Sequence, residues 1–113
     1  GRPHHLELIA DRTSITADGK DIAFVTVRVV DKDGNLIPDD ARLLQFKVTG
    51  AGSFRAAASG NPASLDAFHL PQHHAFSGQL VALVQSGEKA GEAILSVSAK
   101  GLPTAKIRIQ VTK

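Results

Sequence analysis

The 113-residue chain contains no cysteine, methionine, tryptophan or tyrosine, and its aromatic content is limited to five phenylalanines and five histidines. Without cysteine no disulfide can cross-link the fold, so stability must come from the packing of apolar side chains. No apolar run approaches the ~20 residues that a membrane-spanning helix needs. These absences predict a small domain with a hydrophobic core and no membrane span.

The N-terminal segment Gly1-Arg2-Pro3-His4-His5 has neither a starting methionine nor the apolar core of a signal peptide. We interpret residues 1–5 as an expression scar or linker and residues 6–113 as a single domain excised from a longer protein. A length of 113 residues suits one two-layer core and is too short for a barrel enzyme with its loops.

The charged residues are spread along the chain, with thirteen basic and eleven acidic side chains and a formal net charge of +2. A nucleic-acid-binding surface would need a basic stripe with aromatic residues between the charges. Lys106 and Arg108 share a face, but they alternate with Ile107 and Ile109, as on the solvated side of an amphipathic strand. The charge pattern therefore predicts no nucleic-acid partner.

The longest regular pattern runs from Ala17 to Asp40 and reads ADGKDIAFVTVRVVDKDGNLIPDD. It predicts a long central strand, Ile22 to Val30, because apolar and polar residues alternate with a period of two. One face carries Ala23, Val25, Val27 and Val29, and the other carries Thr26 and Arg28. Turn signals at Asp18-Gly19 and Asp33-Gly34-Asn35 mark the two ends.

Similar alternation elsewhere predicts about seven strands and no helix, the pattern of an all-β, immunoglobulin-like antiparallel sandwich. The first strand is split into two pieces near Ser14, and a turn is expected from Ser86 to Gly91. The segment from Ala58 to His74 has no periodicity and contains Gly60, Pro62 and Pro71. It predicts a long loop, and loops of this length are often functional or interfacial.

Two groups of residues are candidates for a metal site. Asp31, Asp33 and Asn35 alternate as in a calcium loop, but Gly34 comes too early and Arg42 stands where the final glutamate would be, which favours a turn. His69, His73 and His74 lie in or beside the long loop, and neighbouring His73 and His74 would point to opposite faces of a strand. We expect surface histidines, no metal and no cofactor.

Catalytic patterns are weak. Phe76-Ser77-Gly78 is only a fragment of a nucleophile elbow. Glycoside hydrolysis needs two carboxyl groups facing each other across a cleft, whereas Glu7 lies on an edge strand and Glu88 and Glu92 flank a predicted hairpin. The sequence therefore predicts a domain that has no catalytic residues of its own.

Sugar binding would need aromatic side chains that stack on pyranose rings. Four phenylalanines lie in or beside strand patterns and are expected in the core, namely Phe24, Phe46, Phe54 and Phe76. Phe68 is the remaining candidate for an exposed ring, and we expect it to fix the long loop to the sandwich.

Several motifs together resemble the immunoglobulin-like C-terminal domain of family 2 glycoside hydrolases of the β-galactosidase type. They are the 17–40 block, Ser59-Gly60-Asn61-Pro62, Ala75-Phe76-Ser77-Gly78, Lys89-Ala90-Gly91 and Ala99-Lys100-Gly101-Leu102. The 17–40 block alone is also similar to bacterial immunoglobulin-like modules of invasin-type adhesins. Two departures stand out. Asn61 replaces the usual aspartate of Asn-Gly-Asp-Pro, and His73-His74 replaces a basic pair.

The resemblance implies a non-catalytic accessory domain of a bacterial, periplasmic or extracellular enzyme that acts on oligo- or polysaccharides. In such enzymes a separate (β/α) barrel supplies the catalytic glutamates, so the expected partners are the catalytic and other domains of the parent chain. The expected contact or binding surface is the long loop, with Ser59, Gly60, Asn61, Pro62, Phe68, His73 and His74. The alternative is a carbohydrate-binding or adhesin-type module, for which carbohydrate would be the partner.

Overall fold

Nine β-strands in two sheets form the fold in the computed structural model, which describes residues 2–38, 40–58 and 71–113. The strands are β1 His5–Ala10, β2 Ser14–Thr16, β3 Ile22–Val30, β4 Leu43–Gly50, β5 Gly52–Ala58, β6 Gln72–His74, β7 Gln79–Ser86, β8 Gly91–Ala99 and β9 Leu102–Thr112. A four-stranded sheet has the order β1-β3-β7-β5, and a five-stranded sheet has the order β2-β9-β8-β4-β6. The predicted all-β immunoglobulin-like sandwich is confirmed. Among the described residues, no helix is long and apolar enough to cross a membrane.

Strand β3 is the central element of the four-stranded sheet, as the sequence predicts. It pairs antiparallel with β1 on one side and with β7 on the other. The face that carries Val25, Val27 and Val29 is completely buried against the other sheet. Burying each of these valines contributes about 1.5 kcal/mol or more to folding, so this one strand provides a large part of the core.

The strand count exceeds the predicted seven because two strands, β2 and β6, have only three residues each. The split first strand is confirmed, with β1 at the edge of one sheet and β2 in the other. Contrary to a purely antiparallel sandwich, β2 runs parallel to β9, from Ser14 opposite Gln110 to Thr16 opposite Thr112. The segment Ser86 to Gly91 also differs from the expected hairpin, since it passes from β7 in one sheet to β8 in the other.

Two of the four phenylalanines assigned to the core are correctly placed. Phe46 is buried, and its ring stacks on that of half-buried Phe54 with a centroid separation of 5.3 Å. The prediction is wrong for Phe24 and Phe76, which are 48% and 41% exposed. Phe24 has the strand parity of Thr26, so it must point away from the core, and Phe76 lies at the start of a tight turn.

A polar junction fixes the point where the chain changes sheets between β2 and β3. The Asp21 carboxylate accepts hydrogen bonds from Arg12 Nη2 at 2.5 Å, from the Thr16 N–H at 2.8 Å and from the Ile22 N–H at 3.1 Å. The hydrogen bond from Arg12, followed by that from Thr16, lowers the pKa of Asp21 from 3.8 to about 2. The ionised carboxylate therefore ties β2 to the start of β3.

We expect this junction to produce acid-dependent stability. Because the pKa of Asp21 is depressed on folding, its stabilisation is complete above pH ~4 and is lost as the pH falls towards ~2. Urea unfolding between pH 2 and 7 should show this slope in the wild type and a shallower slope in Asp21→Asn. Asp33→Asn, at an exposed carboxylate of the β3–β4 connection, should keep the wild-type slope. An unchanged slope in Asp21→Asn would contradict the assignment.

Candidate functional site

Strand β6 contains two of the three candidate histidines, His73 and His74. It pairs with β4 so that His73 lies opposite Leu44 and His74 lies opposite Leu43. His73 is fully buried, and His74 is exposed. The two side chains point to opposite faces, as predicted, but the expectation of a surface position is wrong for His73. Its register with the inward-facing Leu44 places it between the sheets.

Residues Phe76 to Gln79 form a tight turn in the connection from β6 in one sheet to β7 in the other, closed by an isolated bridge between Phe76 and Gln79. The Phe76 N–H donates to the Gln79 carbonyl at 3.0 Å, and the Gln79 N–H donates to the Phe76 carbonyl at 3.2 Å. Ser77 and Gly78 both have positive φ values, 54° and 82°, as the type I′ turn requires. The Phe76-Ser77-Gly78 motif is therefore explained by turn geometry.

Gly78 is also confined by a close approach of the β3–β4 connection. A Cβ atom at this position would lie 2.1 Å from the Ile37 carbonyl oxygen. The Gly78 N–H donates to the Asp40 carbonyl at 2.9 Å, and the Gly78 carbonyl accepts from the Val29 N–H at 2.8 Å. The turn is thereby joined to both β3 and the connection that follows it.

Asp40 and Arg42 form an ion pair beside this turn. The Asp40 carboxylate, whose side chain is 7% exposed, accepts from Arg42 Nη2 at 2.9 Å and from Arg42 Nε at 3.0 Å. Burial raises the pKa of Asp40, but the hydrogen bonds from Arg42 outweigh it and hold the pKa below its ordinary value. Arg42 Nη1 also donates to the Lys100 carbonyl at 3.1 Å.

Sequence reasoning missed this pair. The available signal was the spacing of an aspartate two residues before an arginine, since an aspartate side chain in a turn commonly accepts from the backbone N–H two residues later. The Arg42 N–H does donate to Asp40 Oδ1, at 3.0 Å. The pair thus connects the β3–β4 segment with the β8–β9 hairpin near the exit of the long loop.

The acidic turn after β3 is a hairpin-like corner, as predicted. Asp31 Oδ1 accepts hydrogen bonds from the Asp33 and Asn35 N–H groups, both at 2.9 Å. The bond from Asn35 is the main cause of a lowered pKa at Asp31. Within residues 2–38, 40–58 and 71–113, no cluster of three or more His, Cys, Asp or Glu side chains has the arrangement of a metal site.

The glutamates occupy separate parts of the sandwich. Glu7 accepts from Arg28 Nη1 at 2.6 Å on the outer face of the four-stranded sheet. Glu92 interacts with Arg108 and Gln110 on the five-stranded sheet, at 3.7 Å and 3.2 Å. Glu88 lies in the β7–β8 connection, next to Gly19. These carboxylates do not face one another across a common cleft.

Most of the predicted contact residues fall in the long loop and lie outside the described residues. These are Ser59, Gly60, Asn61, Pro62 and Phe68, and His69, which was a candidate metal ligand, also lies outside the described residues. Their assignment to a contact surface therefore stays a prediction. Of the residues the structure describes, it brings together His74, the Phe76 turn and the Asp40–Arg42 pair at one end of the sandwich, while His73 is buried inside it.

Taken together, the sandwich and its tight polar junctions define an immunoglobulin-like module. The family model described as glycoside hydrolase family 2 C-terminal domain 5 matches residues 6–108. The chain belongs to this family, which confirms the resemblance carried by its motifs.

Individual relatives agree with this assignment. The β-galactosidase BoGH2A of Bacteroides ovatus is 40% identical over 109 residues, which are 96% of this chain and 13% of that protein. The crystal structure of a glycosyl hydrolase family 2 member from Bacteroides cellulosilyticus matches with 31% identity and a TM-score of 0.98, covering 100% of this chain and 15% of that one. The chain therefore spans a small part of the relatives that it matches.

The fold is also found in adhesins. The adhesin InvE of Yersinia pseudotuberculosis matches with 26% identity and a TM-score of 0.65, over 94% of this chain and 26% of that chain. This similarity agrees with the resemblance of the 17–40 block to adhesin modules.

We expect Gly78→Ala to destabilise the domain strongly. Alanine at positive φ costs about 1–2 kcal/mol, and the clash with the Ile37 carbonyl would also break two backbone hydrogen bonds, for a total of at least about 3 kcal/mol. Gly34→Ala is the control, because Gly34 has a similar φ of 86° and nothing within 4 Å of a Cβ. It should cost only about 1–2 kcal/mol in urea unfolding. Equal losses for the two variants would refute the role of the close approach.

The two histidines should respond oppositely to truncation. His73→Ala removes a buried ring and should lower the free energy of unfolding by about 2–4 kcal/mol, as for other large-to-small core changes. His74→Ala, next to it on the exposed face, should change it by no more than about 0.5 kcal/mol. Chemical denaturation of both variants measures the difference. Similar small effects would show that position 73 is not part of the core.

Proposed function

We propose that the domain is a non-catalytic accessory domain of a family 2 glycoside hydrolase of the β-galactosidase type, acting on oligo- or polysaccharides. The observation that carries the proposal is its near-complete match to 13% of a β-galactosidase. The separation of Glu7, Glu88 and Glu92 also supports it, because hydrolysis of a glycosidic bond uses two carboxyl groups across one site. Catalysis is then the task of another domain of the parent chain.

The role that fits such a domain is to pack against the rest of the parent enzyme and stabilise it. The long loop between β5 and β6 is the proposed contact segment, since it joins the edge strands of both sheets and long loops are often interfacial. The Asp40–Arg42 pair and the Phe76–Gln79 turn would give the loop's exit a fixed position. By resemblance, we propose a periplasmic or extracellular location, which cell fractionation with an antibody to the domain would test.

The experiment compares the full-length parent with two loop variants. One lacks residues 63–70, and the other replaces them with a Gly/Ser segment of equal length, which retains chain length and removes the side chains; both variants keep strand β6 and the Pro71 carbonyl that accepts from the Phe46 N–H. We expect both to inactivate at a lower temperature than the wild type, and the 113-residue chain alone to show no hydrolysis of an aryl β-galactoside. Unchanged thermal inactivation after removal of the entire domain would overturn the proposal, as would hydrolysis by the isolated chain.

A carbohydrate-binding module is the second candidate. The observation in its favour is a shallow groove of ≈ 450 Å³ on the outer face of the five-stranded sheet, where Gln45, Lys47, Ser96, Ser98 and Thr104 provide hydrogen-bonding groups. Titration of the chain with plant and host oligosaccharides distinguishes the two functions. Specific binding that is lost in Ser96→Ala would favour the binding module, and an absence of binding would favour the accessory role.

A further inference from the structure

The exposed large apolar side chains in the described part of the chain are Ile9, Phe24 and Phe76, which are 49%, 48% and 41% exposed. The strand register places all three on one surface. Ile9 lies opposite Thr26, and Phe24 has the same parity as Thr26 on β3. Phe76 pairs with Gln79, which in turn lies opposite Arg28 on β3. Because residues directly opposite each other project to the same side of a sheet, the three side chains share the outer face of the four-stranded sheet.

Further apolar residues make this surface continuous. Leu83 on β7 lies opposite Phe24, and Ala56 on β5 lies opposite Leu83. In the next row, Val81 lies opposite Thr26. The resulting surface extends from one edge strand to the other, and we call it the apolar outer face. It comprises Ile9, Phe24, Ala56, Phe76, Val81 and Leu83.

The opposite side of the sandwich has a different composition. On the outer face of the five-stranded sheet, Ser96 lies between Lys47 and Lys106 in one row across three strands. Gln45 lies opposite Ser98 in the neighbouring row. These polar and charged side chains can remain hydrated on an exposed surface. Since the inner faces of both sheets already pack against each other, the apolar outer face is a third apolar layer, and no other element among residues 2–38, 40–58 and 71–113 covers it.

The size of the apolar outer face indicates what covers it. Four strands are about 19 Å wide, and the rows from Phe24 to Phe76 extend it to about 20 Å in length, so the footprint is about 400 Å². A stable complex between separate proteins buries about 800 Å² on each partner. Contacts between domains of one chain bury about 300–750 Å² on each side, because the linker keeps the partner at a high effective concentration. The footprint therefore fits a domain of the same polypeptide better than a second copy of the chain.

Charge also constrains the partner. Two ionised groups, Glu7 and Arg28, lie in the same row as Gln79 and Phe76, and they are paired with each other at 2.6 Å. They therefore neutralise each other and call for no opposite charge on the partner. An apolar and uncharged surface is the complement that this face requires.

We propose that the apolar outer face docks onto an uncharged, apolar surface of another domain of the parent polypeptide. This inference rests on the proposed accessory function and adds the face through which the domain acts. The relatives are long enough to contain such a partner domain, because this chain corresponds to only 13% of the β-galactosidase and 15% of the solved family 2 enzyme. Docking would bury Phe24 on β3 and Ile9 on the edge strand β1 as its anchors.

The test uses the double variant Ile9→Ser/Phe24→Ser, both in the 113-residue chain and in the full-length parent. Ile94→Ser is the matched control, because Ile94 is a partly exposed isoleucine on the outer face of the five-stranded sheet. In the short chain, we expect the double variant to unfold at a urea concentration close to that of the wild type. In the parent, we expect it to be cleaved at least about five-fold faster by limited proteolysis at the domain boundary, with Ile94→Ser unchanged.

Three outcomes would overturn the proposal. Wild-type proteolysis rates for the double variant in the parent would show that the face is not covered. Equal destabilisation in both proteins would show a role confined to folding. Dimerisation of the short chain in sedimentation velocity, abolished by the double variant, would identify a second copy as the occupant. Failure of the proposed function is distinguishable, because it is measured by removal of the whole domain and by the loop variants, whose effects do not depend on Phe24.

Discussion

The fold depends on the strict alternation of side chains along β3. The positions Ala23, Val25, Val27 and Val29 have no solvent exposure, and the residues between them point outward. A shift of one residue in the pairing would exchange the two sets and place Thr26 and Arg28 between the sheets. Burial of an unpaired arginine is far more costly than any gain from Phe24. The same alternation that fixes the core therefore also forces Phe24 onto the surface.

Polar contacts take over where the alternation ends. The chain leaves one sheet for the other between β2 and β3, and there Asp21 binds Arg12 and the backbone N–H of Thr16. The β3–β4 connection is held by the Asp40–Arg42 pair. Such segments have few apolar side chains to bury, so hydrogen bonds to ionised carboxylates define their path. Burial of the apolar core determines which faces of the two sheets pack together. The polar junctions determine the path of the chain between the sheets.

The alternation of side chains made the long strands predictable, because every second residue along most of β3, β7 and β8 is apolar and buried. It also contained the correct position of Phe24, whose parity with Thr26 was visible, but its hydrophobicity suggested the core. Strand β2 was expected as the short second piece of the first strand, whereas β6 follows a segment without periodicity and, with three residues, is too short to show a period of its own. For this reason the burial of His73, which depends on pairing with Leu44, was also missed.

The candidate contact region was less predictable than the fold. Its parts come from distant segments, and only the tertiary structure brings Gly78 next to Ile37 and Arg42 next to Lys100. The Gly78 motif was recognised as a family feature, yet its physical cause, a tight turn pressed against a neighbouring carbonyl, required the structure. The cause lies in the segment around Ile37, which contacts the turn, and therefore could not be found from the residues of the motif alone.

One outer face of the sandwich is mainly polar and the other is mainly apolar, and this difference favours a neighbouring domain that covers the apolar face. A sandwich that functions alone needs polar residues on both outer faces, as β4, β8 and β9 provide on one side. On the other side, β1, β3 and β7 present Ile9, Phe24 and Leu83, which the sandwich itself buries only in part. Apolar side chains in exposed positions are a liability in an isolated domain because they promote association. They are advantageous where a neighbouring domain of the same chain is always present, since each of them then adds buried area at little cost in association entropy.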